Sequence, residues 1–333
     1  MTDNPSRRTV LKAAGVATLA SGFFGGPDKS AFAAPKSEVV DVRDFGAVGD
    51  GVTEDTVAFQ AAIDAVAEAG GGTLRIPTGT YVLAREKSVV LRADNMNVEA
   101  AGATFTRLDA AKAPRAMFVS NTRGAPGYGS GIKNLMWRGC RFVGSLADSQ
   151  FICLFGLHHP QDCLFEDIVA ENCQAPGSHQ FDLGAADGVT IRHCTFRGQA
   201  SGGATDLAEA IQIDGSYRGT LTGGTEQAGF SGLMTRRVVV EDCTFEPFTD
   251  ADGTVWAGPT PMGCHFAAEG KYYEDIKFVN NVVREPRSSA LVGDPADVWR
   301  GFAQGDLGSP QRSTRCHDQQ QRDQRLHCGG RRR

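Results

Sequence analysis

Three short stretches hold the ionisable side chains that could do chemistry together: His179-Gln180-Phe181-Asp182-Leu183, Glu209-Ala210-Ile211-Gln212-Ile213-Asp214 and Gly263-Cys264-His265-Phe266. Each alternates polar and apolar residues, which predicts a half-buried strand. If the strands lie side by side with Phe181, Ile211 and Cys264 inward, then Asp182, Gln212 and His265 share one outward column. Asp214 follows two residues after Gln212 on the same face, because side chains alternate with a period of two. His179 and Glu209 align at the strand starts. Alternation gives them inward parity, so they read either as a buried pair or as a pair exposed by a turn. With neighbouring strands about 4.8 Å apart and two residues spanning about 6.7 Å, Asp182 and Asp214 are offset by roughly 8 Å between Cα atoms.

That spacing suits two carboxyls working across a bond to a sugar. Inverting glycoside hydrolysis needs carboxyls about 6.5–9.5 Å apart, one protonating the leaving oxygen and the other activating a water between them. Asp182 and Asp214 are expected to share these roles, in an order the sequence does not assign, and Glu209 could replace either. His265 would bind substrate or tune the acid, and His179 and Gln212 would contact the sugar. Such hydrolysis needs no cofactor or metal. The same residues would also suit β-elimination on a uronan. His179 or His265 would then take the proton, and Asp182, Glu209 and Asp214 would hold Ca2+ through oxygen ligands. The bland alternative is ordinary solvated polar surface. The His158-His159 pair begins a turn and reads as structural.

The elements that must position these residues form a repeat. One unit recurs over residues 131–142, 161–173, 187–196, 237–245 and 274–283: a polar turn, alternating apolar positions, a small residue and a second short strand. A repeat of short strands predicts a solenoid whose rungs bury their inner faces against one another. Three units share Cys-x-Phe, at Cys140-Arg141-Phe142, Cys194-Thr195-Phe196 and Cys243-Thr244-Phe245, which predicts a stacked interior position with Cys as a small hydrophobe. Most of the nine cysteines are therefore expected not to form disulfides, and the absence of a C-x-x-C pair argues against structural zinc. Glycine-rich excursions at 215–235 and 246–261 interrupt the register, and such excursions often carry a binding face.

Upstream, Asp44-Phe45-Gly46-Ala47-Val48-Gly49-Asp50-Gly51 leads into an apolar pattern at Val57, Ala58, Ala61, Ala62, Ala65 and Val66, which predicts a helix capped by Thr53 or Asp55 and ended by Gly70-Gly71-Gly72. Residues 44–83 resemble the N-terminal signature of the pectate-lyase-like β-helix superfamily, shared by phage tailspikes, rhamnogalacturonase-like proteins and mannuronan epimerases. The resemblance implies an all-β, single-stranded right-handed parallel β-helix with a short N-terminal capping helix. It also implies a carbohydrate-active protein with a polysaccharide as its partner. The Glu209–Asp214 stretch resembles a strand of superfamily members that act on carbohydrates. The Asn-Thr-Asp, Gly-His-Gly and Arg-Ile-Lys motifs of polygalacturonases are missing, as is the Asp-Pro-His-Glu of mannuronan epimerases, so neither activity carries over residue by residue. A non-catalytic glycan-binding β-helix remains the alternative from another class.

The ends of the chain read differently from the middle. Ser6-Arg7-Arg8-Thr9-Val10-Leu11-Lys12, a short apolar run and Ala31-Phe32-Ala33-Ala34 resemble a twin-arginine signal peptide over residues 1–35. This predicts export by the twin-arginine machinery to the bacterial cell envelope or beyond, with no stable membrane anchor, since the run is far shorter than about 20 residues. The β-helix is expected over 36–307. Residues 308–333 are rich in Arg, Gln and His and read as an aberrant basic tail, disordered by composition, of the kind a frameshift within a further rung would produce. A formal net charge of −5 gives no basic surface for nucleic acid.

Overall fold

A computed structural model describes residues 38–83, 88–107, 116–144, 153–174, 179–200, 209–217, 229–264 and 270–286, with the backbone of 314–315 and 325–326. The expected signal peptide, His265 and most of the 308–333 tail lie outside the described residues. Two-residue strands at 314–315 and 325–326 pair antiparallel with Val282–Val283 and with the start of Tyr273–Val279.

The chain winds as the expected right-handed parallel β-helix, three strands to a typical turn. One line of parallel pairs runs through Val39–Asp41, Gly72–Arg75, Met96–Glu99, Met136–Val143, Gln161–Gln174, Asp187–Arg192, Arg236–Glu241 and Tyr273–Val279. A second line shares the long strands Met136–Val143 and Gln161–Gln174 and continues through Thr195–Gln199, Thr244–Glu246 and Val282–Val283. The third face is a separate sheet of Val89–Val90, Ala116–Ser120, Cys153–His158, Phe181–Gly184, Glu209–Asp214 and Thr260–Gly263. At the corner between the first two lines, Asp167, His193, Asp242 and Asn280 all take φ of 53–58°. Asn and Asp tolerate this left-handed conformation better than most residues, so a polar residue recurs at this corner on these four rungs.

The core is three stacks of side chains meeting along the axis. Phe118, Phe155 and Phe181 stack on the third face, with ring centroids 5.6 and 5.0 Å apart. Phe196 and Phe245 stack at 5.0 Å and Phe105 on Phe142 at 5.1 Å. Trp137, Phe165, Ile191 and Val240 occupy successive rungs of the first line. The Cys-x-Phe repeats land where expected: Cys140, Cys194 and Cys243 are buried and free, as are Cys153, Cys163 and Cys173. Burial pushes the Cys163 and Cys173 thiols up to about 12, so they behave as packing groups rather than nucleophiles. Cys264 is disulfide-bonded.

The capping helix spans Thr56–Glu68. Its buried stripe is Ala58, Phe59, Ala62, Ile63 and Val66, while Val57 is 76% exposed. The helix is thus rotated from the expected stripe, because Phe59 meets Tyr81 and Phe105 edge-on at 5.2 and 5.6 Å and large rings outweigh alanines in burial. Asp55 is the N-cap residue, but its carboxylate accepts instead from the Val48 and Gly49 N–H groups at 2.7 and 3.2 Å. It therefore ties the Ala47-Val48-Gly49 turn to the cap.

Candidate functional site

The third sheet sets the positions of the candidate residues. Phe181 pairs with Ile211, Asp182 with Gln212 and Gly184 with Asp214. Asp182 and Asp214 are therefore one rung and two residues apart, the diagonal read from the sequence, or roughly 8 Å between Cα atoms for regular strands. On the next rung the expected alignment is corrected by two residues. Met262, not Cys264, pairs with Ile211, and Gly263 lies beside Gln212 where His265 was expected. The alternation at Gly263-Cys264-His265-Phe266 was compatible with either register, and the chain takes the one that puts Met262 in the inward stack.

His179 and Glu209 are buried, yet they are not part of the apolar core. Two consecutive residues, Ala210 and Ile211, both pack in the main core, so Glu209 falls on the same outer face as Gln212. The preceding strand behaves alike: Leu154 and Phe155 are both in the core, while Cys153 packs with Ala116 and Val119 in a separate cluster. Two N–H groups, of Leu154 and Phe155, share the Gln180 carbonyl at 3.2 and 3.0 Å, so the backbone departs there from regular alternation while the register with Ala116–Ser120 is kept. Strict alternation could not reveal this departure. His179 Nδ1 lies 3.0 Å from the Glu209 carbonyl oxygen and 3.8 Å from its carboxylate.

The five described candidates do not form the exposed patch that alternation implied. Asp182, Glu209 and Asp214 are 0% exposed, Gln212 2% and His179 3%. The described part of the 215–235 excursion packs over part of this face. Thr235 Oγ1 donates to the Asp214 carbonyl at 2.6 Å. Ser231 Oγ lies 2.8 Å from His159 Nε2. The Thr122 hydroxyl donates to the Gly229 carbonyl at 3.2 Å, and the Tyr128 hydroxyl to the Met234 carbonyl at 2.7 Å. Residues 121–130 and Gly229–Thr235 thus close together over the strand ends.

Within this covered face the Gln212 amide donates to one oxygen of the Asp214 carboxylate and the Tyr273 hydroxyl to the other, the latter at 3.2 Å. Burial, then the Asp214 charge, pushes the Tyr273 phenol far up, so it acts as a fixed donor. Arg107 is 5% exposed, and burial pulls its pKa down to about 10 while Cys153 opposes that shift. Cys153 also feels the charge of Asp182. A cation and a carboxylate therefore flank one buried thiol. Among the described residues no group of three His, Cys, Asp or Glu is arranged to hold a metal ion. Sequence reasoning missed Arg107 and Tyr273, which come from other strand lines. It set aside His158, which the register places beside Gly184.

The family described as rhamnogalacturonase A/epimerase, pectate lyase-like, matches residues 39–267, more than half of the chain. Mannuronan C5-epimerase AlgE5 of Azotobacter vinelandii is 65% identical over 40 residues, 12% of this chain and 4% of the epimerase. Alginate lyase 7 of the same organism is also 65% identical over 40 residues, 5% of its own length. The matched stretch is thus a small fraction of either relative. The crystal structure of PfbA, a surface adhesin of Streptococcus pneumoniae, superposes with a TM-score of 0.56 at 19% identity, covering 75% of this chain and 62% of that one. At that identity the likeness concerns the fold alone.

Proposed function

Because the chain belongs to the rhamnogalacturonase A/epimerase, pectate lyase-like family, we propose that it is an exported bacterial carbohydrate-active enzyme that cleaves a polysaccharide. The reaction is hydrolysis of a glycosidic bond, with Asp182 and Asp214 as the carboxyl pair. One observation supports this above the rest: the strand register sets the two residues one rung and two positions apart, a Cα diagonal of roughly 8 Å from which two carboxyls can take a spacing with room for a water between acid and base. Burial strengthens the case, since charges kept from water act more strongly on a reacting bond. The Gln212 amide and the Tyr273 hydroxyl donate to the Asp214 carboxylate, and the two aspartates divide the acid and base roles between them. Glu209 and His179 would line the sugar beside them.

Elimination on a uronan is the second reading. The His179 and Glu209 pair supplies an imidazole for proton abstraction, and the buried guanidinium of Arg107 is a cation that could neutralise the uronate carboxylate. Relatives that match over a short stretch are named as an epimerase and a lyase acting on mannuronan and alginate, which makes uronans the first substrates to try. The test is a screen of the protein against alginate, pectate and neutral glycans, reading reducing ends and ultraviolet absorbance together. New reducing ends without absorbance support hydrolysis, and absorbance from an unsaturated product supports elimination. Binding with no product at all would replace the enzyme with a glycan-binding β-helix.

A further inference from the structure

His158 is buried to 1% exposure, and among the described residues neither of its ring nitrogens meets a hydrogen-bond partner. That is costly, because a buried polar group left unsatisfied has given up its hydrogen bonds to water and gained none in return. Its neighbour His159 shows the ordinary solution, with Nδ1 3.0 Å from Thr122 Oγ1 and Nε2 2.8 Å from Ser231 Oγ. The two histidines are adjacent in the chain and equally buried, yet only His159 is satisfied.

The surroundings of His158 indicate what it is for. It pairs with Gly184, and Gly184 pairs with Asp214, so these three residues form one outward column in which the middle position carries no side chain. Imidazole and carboxylate are thereby two rungs apart, about 10 Å, across a floor of bare backbone. Gly156 lies beside Asp182 in the adjacent column, so a second position next to this column carries no side chain. Continuing the register that pairs Ser120 with Leu157 sets Asn121 beside His158, and Asn121 Oδ1 is likewise buried without a partner among the described residues. The Phe230 ring lies 6.3 Å from the imidazole and is 37% exposed, an aromatic surface at the rim. Burial, reinforced by His159, pulls the His158 pKa down to about 4, so at neutral pH the ring is uncharged, with one nitrogen donating and one accepting.

We propose that His158 is a further substrate-contacting residue, its neutral imidazole binding the hydroxyls of a sugar unit seated over Gly184 between His158 and Asp214. The proposal rests on the polysaccharide reading above and adds to it the place and chemistry of one subsite. A sugar presents adjacent hydroxyls that both donate and accept, which matches a neutral imidazole with two open nitrogens and an open amide oxygen on Asn121. Its apolar C–H face would pack on Phe230. A cation or a phosphate would instead call for charge at this position.

The test compares His158→Phe and His158→Gln with the unaltered protein in thermal melts and in calorimetric titrations with alginate and pectate oligosaccharides and a neutral xylan oligosaccharide. His158→Phe is expected to melt at the same temperature or higher, because it removes two unsatisfied polar atoms. It is also expected to bind the preferred oligosaccharide at least tenfold more weakly, with His158→Gln recovering part of the loss. A lower melting temperature for His158→Phe with unchanged affinity would make His158 a structural residue and overturn the inference. Equal affinity of both variants and the unaltered protein would overturn it while leaving the polysaccharide reading intact. If the unaltered protein binds none of the oligosaccharides, the polysaccharide reading falls, and this subsite with it.

Discussion

The outer faces of the two sheets treat charge in opposite ways. On the first sheet, acidic residues alternate with arginines up the rungs. Glu166 is bonded by Arg138 and Arg192, Glu246 by Arg197 and Arg284, Glu171 by Arg141, and Asp187 by Arg236 and Arg237. Most of these arginines are about 40–50% exposed. Burial pushes the Asp187 carboxyl up, but the two guanidiniums more than reverse it and hold it below its ordinary value. On the third face, Asp182, Glu209 and Asp214 are buried outright, and the Asp214 carboxylate accepts from Gln212 and Tyr273. The same parallel ladder supports both. A charge ladder in water neutralises itself cheaply and does little else. Carboxylates held out of water are expensive, and a fold keeps them where they act on something.

Several measurements would break or sharpen this contrast. The largest effect is expected from Asp182→Asn and Asp214→Asn made singly. Each should lower turnover by about 100- to 10,000-fold, the usual weight of one acid or base, while far-ultraviolet circular dichroism stays that of the parent. Full activity in both would dissolve the distinction between the faces. Next is pH. His158 and His159 are both pulled to about 4 by burial, below the ordinary 6.5 or so of the unfolded chain. Above that value both states are neutral and the pair costs nothing. As pH falls from about 6.5 to about 4 the unfolded chain takes up protons that the folded chain refuses, so stability drops, by on the order of 3 kcal/mol for each histidine. Urea melts across that window should show the drop, and His158→Phe should remove roughly half of it.

A smaller effect tests the close packing under the cover. A Cβ on Gly131 would come within 1.8 Å of the His158 carbonyl oxygen and 2.9 Å of that of His159. Gly131→Ala should therefore cost roughly 1–3 kcal/mol by forcing backbone apart, measurable as a shift in the denaturation midpoint. The smallest belongs to the charged ladder: Glu246→Gln, which unpairs Arg197 and Arg284, should change stability by about 1 kcal/mol or less and fade with added salt. A loss well above that would mean the ladder carries more than solubility.

The amino-acid sequence by itself determined the solenoid, the capping helix and the recurrent Cys-x-Phe interior, because each is a local period repeated often enough to outweigh irregularities. It also determined the Asp182–Asp214 diagonal, since both strands keep strict alternation from Phe181 and Ile211 onward. Tertiary structure alone decided what depends on pairing between distant segments. The third rung shifted by two residues, a choice between Cys264 and Met262 that only packing against Ile211 could make. Leu154 and Phe155 both pack in the main core while Cys153 packs outside it, against the period of two. The exposure of the candidate residues reversed because folded excursions cover a sheet face that local alternation can only label as outward. The pairing of His158 with Gly184 gave meaning to a histidine that, in the chain, is indistinguishable from its satisfied neighbour. A period is written in consecutive residues, whereas a cover or a cross-rung neighbour comes from residues tens of positions away.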